Sequence, residues 1–399
     1  MKFMEDQFLK ILLRLMESKT YTNNGKVIQK EIVFLKEFLC DVMGLEANIL
    51  KNREGKSSLF SVLRGTSEDF VILGGHIDIA RNIGDHRNHA YKIAKFNDDV
   101  VLIGRGASDM KGGLVSILMC LNEIMNLRKK IPVTLVITIF SDEEESGTSI
   151  VPLLKILKTR LATCKGAIFL EPTNVNWYVV GNLNYIGAKI FAWNALASSI
   201  QSKLEILNTM MTKHFNNVQQ ESYSKENKKF LNVVEYTKRF YAKIFGPHII
   251  KAFDSLYTEI YNIQQKHNRV ELVYDIISLR FGLRDVFFIF KKIKDALGFE
   301  KIDTVIYDYK PKTFTSSNVT ICKCLEKASK SVLGHVVRPL ITLTPGLEVC
   351  IRNLGIPAIL YGPGYTVNIH SDKEFVVLSN ISRVAHVVKD TLLSFKIKD

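Results

Sequence analysis

Hydrophobic positions recur along this chain with two spacings, one helical and one near-continuous. Residues 4–17 and 28–43 carry apolar side chains at helical intervals, with Phe8, Ile11, Leu12 and Leu15 marking the first stripe. The turn Tyr21-Thr22-Asn23-Asn24-Gly25 separates these two predicted helices. Short apolar runs then predict strands near 57–64 and 69–76, a polar loop over 81–99, and a strand at Val100–Ile103. A long apolar helix follows, through Leu114, Ile117, Leu118, Leu121 and Ile124. Pro132–Phe140 is almost unbroken in its apolarity, as expected of a strand buried on both faces. A helix to about Arg160 and a second buried strand over Gly166–Leu170 continue an α/β alternation.

The pattern changes after Gly181. Residues 183–195 predict an exposed strand, 198–266 a polar and mostly helical stretch, Glu271–Leu279 a strand, Asp285–Leu297 a helix and Thr304–Tyr309 a strand. This reads as an inserted domain with a sheet of its own. The α/β alternation then resumes: a helix over 316–332, a strand over 337–343, a helix from Gly346 to Leu354, a strand at Pro357–Tyr361 and a last helix to about Ser394. The expected organisation is a catalytic domain built from 1–181 and 312–399, interrupted by an α+β domain over 182–311. A length of 399 residues also favours two cores over one.

Polar chemistry gathers where the apolar strands stop. Phe70–Leu73 leads through two glycines into His76-Ile77-Asp78, and Asp78 lies on the same side of an extended chain as His76. A carboxylate there can fix the tautomer of an imidazole. Asp109 follows the Val100–Ile103 strand within Gly104-Arg105-Gly106-Ala107-Ser108-Asp109-Met110-Lys111-Gly112-Gly113. Four acids, Asp142 to Glu145, follow Phe140, and they repel one another unless a cation or bases neutralise them. Glu171 follows Leu170, and His370 follows Gly362-Pro363-Gly364. In open α/β sheets, sites form outside the carboxyl ends of the strands. Taken singly, each feature has a plainer reading: a strand-end His in the core, Ser108 or Asp109 as a helix cap, a solvated acidic turn. His86 and His89 read as loop residues. The glycine-rich stretch lacks the G-x-x-x-x-G-K-[ST] spacing of a phosphate loop.

Composition narrows the partners. The net charge of +14 suggests anionic ligands, but the excess is spread along the chain with no long basic block. A solvated lysine-rich surface accounts for it, and no nucleic-acid partner is expected. The six cysteines form no C-x-x-C pair and read as reduced thiols of a cytosolic protein. No apolar run reaches transmembrane length, and Met1–Glu17 lacks the features of a secretory signal. A cytoplasmic protein without a membrane partner is therefore expected.

Two His, one Asp and two Glu make a mixed nitrogen and oxygen donor set suited to zinc, with cobalt or manganese as substitutes. Two ions sharing one carboxylate use five ligands economically. Water bridging them has a pKa lowered to about 7. A further carboxylate, for which Glu143 is the natural candidate, then takes its proton and passes it to a leaving amine.

Gly75-His76-Ile77-Asp78, the Gly104–Gly113 stretch, Ser141-Asp142-Glu143-Glu144, Leu170-Glu171-Pro172-Thr173 and Gly362-Pro363-Gly364 with His370-Ser371-Asp372-Lys373-Glu374 stand in order along the chain. This set resembles the co-catalytic zinc amidohydrolase and peptidase family that includes acetylornithine deacetylase, succinyl-diaminopimelate desuccinylase, aminoacylase and related carboxypeptidases. The resemblance implies two Zn2+ ions, one on His76 and Glu171 and the other on Glu144 and His370. Asp109 would bridge them, with Asp78 orienting His76 and Glu143 acting as general base and acid. It implies a mixed-sheet catalytic domain with helices on both faces, and a ferredoxin-like lid domain through which the chain forms a homodimer. It further implies that Arg280 binds a substrate carboxylate, for which a surface charge is the alternative, and that the Gly346 backbone lines the substrate pocket.

The chain also departs from that family. Ser198 stands where the family has a carbonyl-polarising His, and the 81–99 loop lacks the family's Trp and Pro-Phe. The expected activity is hydrolysis of the amide bond of an N-acyl amino acid or small peptide, in the manner of a deacetylase or desuccinylase. Two alternatives stand beside it: release of an amino acid from an acidic amino-group carrier protein, and a metal-binding homologue without catalysis.

Overall fold

The computed structural model describes residues 6–80, 91–127, 130–193, 228–254, 257–266, 269–278, 291, 294–295 and 302–395. The chain divides into two compact units, one of residues 1–180, 315–339 and 346–399, the other of 181–314 and 340–345.

The first unit is built on a mixed sheet. The unit's strands in chain order are β1 (Ala47–Lys51), β2 (Ser57–Leu63), β3 (Phe70–His76), β4 (Lys92–Phe96), β5 (Asp99–Ile103), β6 (Thr134–Phe140), β7 (Cys164–Phe169) and the start of β8 (Trp177–Asn182), followed later by Ala358–Leu360 and Phe375–Val377; β4, β5 and Phe375–Val377 form a small sheet of their own. β3 is central and buried throughout. It runs parallel to β6 on one side and β7 on the other, with His76 opposite Phe140 and Gly74 opposite Phe169. Ala358–Leu360 runs parallel to β7, while β1, β2 and β8 run antiparallel to their neighbours. Four strands of one direction thus finish on the same edge, and the segments leaving that edge carry His76, Ser141–Glu144, Glu171 and, after a longer loop, His370. Central strands covered on both faces explain the unbroken apolar runs.

Unit 1 differs from the sequence reading in several strands: β1 and β8 have no counterpart among the predicted ones. Residues 92–96, read as part of a polar loop, form β4, which pairs antiparallel with β5; β5 pairs in turn with Phe375–Val377. Asn97 and Asp98 make the tight connection, with Asn97 at φ 55°. β4 is exposed on most positions, so no apolar alternation marks it. Helix Gly112–Met125 packs against the final helix Leu378–Leu393, and Ser116 Oγ ties them by donating to Ile381 O at 3.0 Å.

The second unit holds a four-stranded antiparallel sheet in the order 257–266, 269–278, 184–193, 302–310. Helix Lys228–Phe245 belongs to it. Tyr257–Lys266 lies in the stretch read as mostly helical, yet it is a strand. Its Tyr, Thr and Ile residues favour a pleated surface, and that preference prevails over its polarity. The sequence positions Ser198 and Arg280 lie outside the described residues. Among the described residues, no helix is long and apolar enough to cross a membrane.

Candidate metal centre

His76 closes β3 with 1% of its surface exposed. Its Nδ1 lies 2.9 Å from the carbonyl oxygen of Asp78 and 3.4 Å from Asp78 Oδ1, so that nitrogen is engaged on the protein side. Its Nε2 faces acids: Asp109 Oδ1 at 3.1 Å, Glu171 Oε2 at 3.7 Å and Glu143 Oε2 at 3.9 Å.

Asp109 turns its other oxygen to the second imidazole, with Oδ2 3.4 Å from His370 Nε2. His370 Nε2 also meets Glu144 Oε2 at 3.0 Å. Asp109 thus stands between two imidazoles, one on a strand and one on a loop. The Asp109–Met110 peptide is cis. Gly113, at the start of helix Gly112–Met125, is a close-approach position: a Cβ there would lie 2.1 Å from the Leu170 carbonyl oxygen. Only glycine lets the segment carrying Asp109 come up against the strand end carrying Glu171.

Two further carboxylates fasten these segments through backbone N–H groups. Asp78 Oδ1 and Oδ2 accept from the N–H of Glu143 and of Glu144, each at 3.1 Å. One side chain therefore fixes both the His76 ring and the acidic turn. Glu374, 1% exposed, does the same elsewhere. Its Oε2 accepts from Gly106 N–H at 2.7 Å and its Oε1 from His370 N–H at 2.9 Å. Lys111, also buried, donates from Nζ to the carbonyls of Leu15 at 2.6 Å and Ser18 at 3.1 Å. The sequence reading missed the roles of Glu374 and Lys111. Both stand inside the quoted motifs, and their burial was the only signal, invisible in one sequence.

The four consecutive acids divide their work. Asp142 is buried and accepts from the N–H of Thr148 and Ser149, each at 3.0 Å, capping the turn. Glu143 and Glu144 face the centre, and Glu145 meets Lys56 at the surface at 3.3 Å.

The electrostatics follow from crowding. Burial opposes charge on the His76 ring, but Glu171, Asp109 and Asp78 outweigh it and hold its pKa well above the ordinary value. Burial likewise opposes charge on His370, and contacts with Asp109 and Glu144 carry its pKa up to about 11. For Asp109 burial pushes upward, yet the two imidazoles keep it far below the usual carboxylate range. Burial lifts Glu171 to about 7, with His76 opposing and Asp109 and Glu348 adding. These acids draw positive charge, and protons on two rings meet that demand only in part. The donor set tests well against divalent cations. Ligand atoms of His76, Asp109 and Glu144 lie within 4.8 Å of one another, and Glu144 Oε1 is buried with no hydrogen-bond partner.

The structure thus brings His76, Asp109, Glu143, Glu144, Glu171 and His370 together, with Asp78 behind them. Gly346 borders the same space: a Cβ on it would lie 3.0 Å from Glu143 Oε1.

Comparison with known proteins gives a consistent picture. The family model for peptidase family M20/M25/M40 matches residues 72–394. Succinyl-diaminopimelate desuccinylase of Pelagibacter ubique is 31% identical over 180 residues, covering 42% of this chain and 42% of that protein. A probable succinyl-diaminopimelate desuccinylase of Staphylococcus aureus is 27% identical over 180 residues, covering 44% and 42%. The chain spans less than half the length of these curated relatives. Among solved structures, human carnosine dipeptidase 1 superposes with a TM-score of 0.75 at 12% identity, covering 97% of this chain and 96% of that one. The M20 family metallo-carboxypeptidase Sso-CP2 of Sulfolobus solfataricus superposes with a TM-score of 0.74 at 15% identity, covering 97% and 99%. At these identities the likeness is one of fold.

Proposed function

The chain belongs to peptidase family M20/M25/M40, and on that premise we propose that it is a two-metal hydrolase cleaving the amide bond of an N-acyl amino acid or small peptide. The observation that carries this reading is the double-faced position of Asp109. Its oxygens meet the Nε2 atoms of His76 and His370, with Glu171 beside the first ring and Glu144 beside the second. In this reading His76 and Glu171 would hold one cation and Glu144 and His370 the other, with Asp109 available to both. Zinc suits the donors best, with cobalt or manganese as substitutes. When bound, such a pair supplies Lewis acidity and a water of lowered pKa.

The chain's own groups do the rest. Glu143 takes the proton from water and returns it to the leaving amine. Two features support that role: its Oε2 lies 3.9 Å from His76 Nε2, and its backbone N–H is fixed by Asp78. Asp78 orients His76 from behind. Gly346 leaves the space beside Glu143 open to substrate, and Arg280 anchors a substrate carboxylate through its planar pair of donors. A screen of the zinc-loaded protein over N-acetyl amino acids, N-succinyl amino acids and dipeptides tests the activity. Glu143→Gln should lower kcat by about 100- to 10,000-fold while elemental analysis finds the metal content unchanged. A variant as fast as the parent would remove Glu143 from the mechanism.

A further inference from the structure

Glu348 begins the short helix Glu348–Arg352 and is 1% exposed. Its Oε1 lies 3.4 Å from an Arg352 guanidinium nitrogen. Its Oε2 is buried and has no hydrogen-bond partner. A buried carboxylate oxygen without a donor is costly, and native structures seldom keep one without a use. The direction of this oxygen is informative. A Cβ at Gly346 would lie 2.8 Å from Glu348 Oε2 and 3.0 Å from Glu143 Oε1. The two carboxylates therefore face each other past a residue that has no side chain to separate them. The proposed proton carrier and an unused acceptor border one space, and Glu171 feels the charge of Glu348 as well.

We propose that Glu348 Oε2 is a substrate-binding acceptor for an ammonium or other N–H group, so that the site prefers acyl groups ending in an amine over acyl groups ending in a carboxylate. Arg352 offsets the charge on the Oε1 side but offers nothing to Oε2. A substrate amine supplies the missing donor. A substrate carboxylate would set oxygen against oxygen, next to a second carboxylate, with no donor between them. This inference rests on the hydrolase reading of the same site and adds a substrate class to it. It also separates this chain from its desuccinylase relatives, whose printed name implies an anionic acyl group.

The test uses three acyl groups of nearly equal size on one amino acid: β-alanyl, which ends in an amine; butyryl, which is neutral; and succinyl, which ends in a carboxylate. For the zinc-loaded protein we expect kcat/KM to fall in that order, with the difference carried mainly by KM. Glu348→Gln should shrink the β-alanyl to succinyl ratio at least about tenfold, with the melting temperature and zinc content checked alongside. Calorimetric binding of the same three compounds gives a readout independent of turnover. Succinyl compounds cleaved or bound as well as β-alanyl ones by the unaltered protein would overturn the inference, as would a ratio untouched by Glu348→Gln. If none of the three is cleaved yet binding follows the expected order, the acceptor role of Glu348 stands and the hydrolase reading falls.

Discussion

The two imidazoles of the centre are held by different means. His76 ends a strand paired in parallel on both sides, and its ring is 1% exposed. His370 sits in a loop at φ 60°, and half of its side chain is exposed. The first is positioned by the sheet, the second by a single carboxylate, Glu374, which grips its backbone N–H. One half of the centre is therefore pre-organised by the core of the domain, while the other depends on a loop carboxylate four residues away that is itself anchored to Gly106. A cation on the His76 side should be the tighter and slower to leave, and one on the His370 side the more readily removed by chelation.

The largest effect should come from the residue common to both halves. Asp109→Ala should abolish hydrolysis and leave less than one bound zinc per chain by elemental analysis. Retention of both zinc ions would show that the halves are independent. Next, His370→Ala and His76→Ala should part company. Loss of the His370 ring should leave one tightly held ion, and loss of the His76 ring should disturb both, because Asp109 then loses its buried partner. Equal losses in the two variants would erase the distinction. Glu374→Gln should weaken the second ion by about 10- to 100-fold in a competition titration and spare the first, which is the scale for groups that orient ligands from behind. A variant that weakened both ions alike would mean that Glu374 supports the fold as a whole.

The smallest effect lies away from the centre and serves as a control. Glu123 on helix Gly112–Met125 meets His386 and Lys389, each at 2.9 Å. Burial raises its pKa, but those two contacts outweigh it and the net shift is downward. A depressed carboxylate pKa stabilises the fold above the unfolded value, near 4.3, and that stability is lost as pH falls through the folded value. Glu123→Gln should flatten the acid side of a stability–pH curve by under about 1 kcal/mol and leave metal affinity alone. A change in zinc binding would mean that this helix pair communicates with the centre.

The half of the centre that the sheet holds was also the easier to read from sequence. β3, β6 and β7 are covered on both faces, so their apolar runs are nearly unbroken and the polar residues that follow stand out. His76, Glu144 and Glu171 are visible for that reason. Asp109 and His370 drew notice through glycine-rich neighbours. What stayed hidden was contact at a distance. Glu374 meets Gly106 across 268 positions, and no local pattern announces such a pair. Glu348 falls inside the predicted Gly346–Leu354 helix, and only packing shows that its Oε2 is enclosed. β4 and Tyr257–Lys266 escaped for the opposite reason: exposure or polarity masked the period that marks a strand.

Lys111 carries one more implication. Its ammonium group, sealed from water, ends on the carbonyls of Leu15 and Ser18, at the tail of the first helix. Deleting residues 1–18 would remove both acceptors and open this buried ammonium, two positions from Asp109, to water. The opening helix supplies no ligand, yet it works as a keystone for the loop that does, and shortening the chain from that end should loosen metal binding before it unfolds the domain.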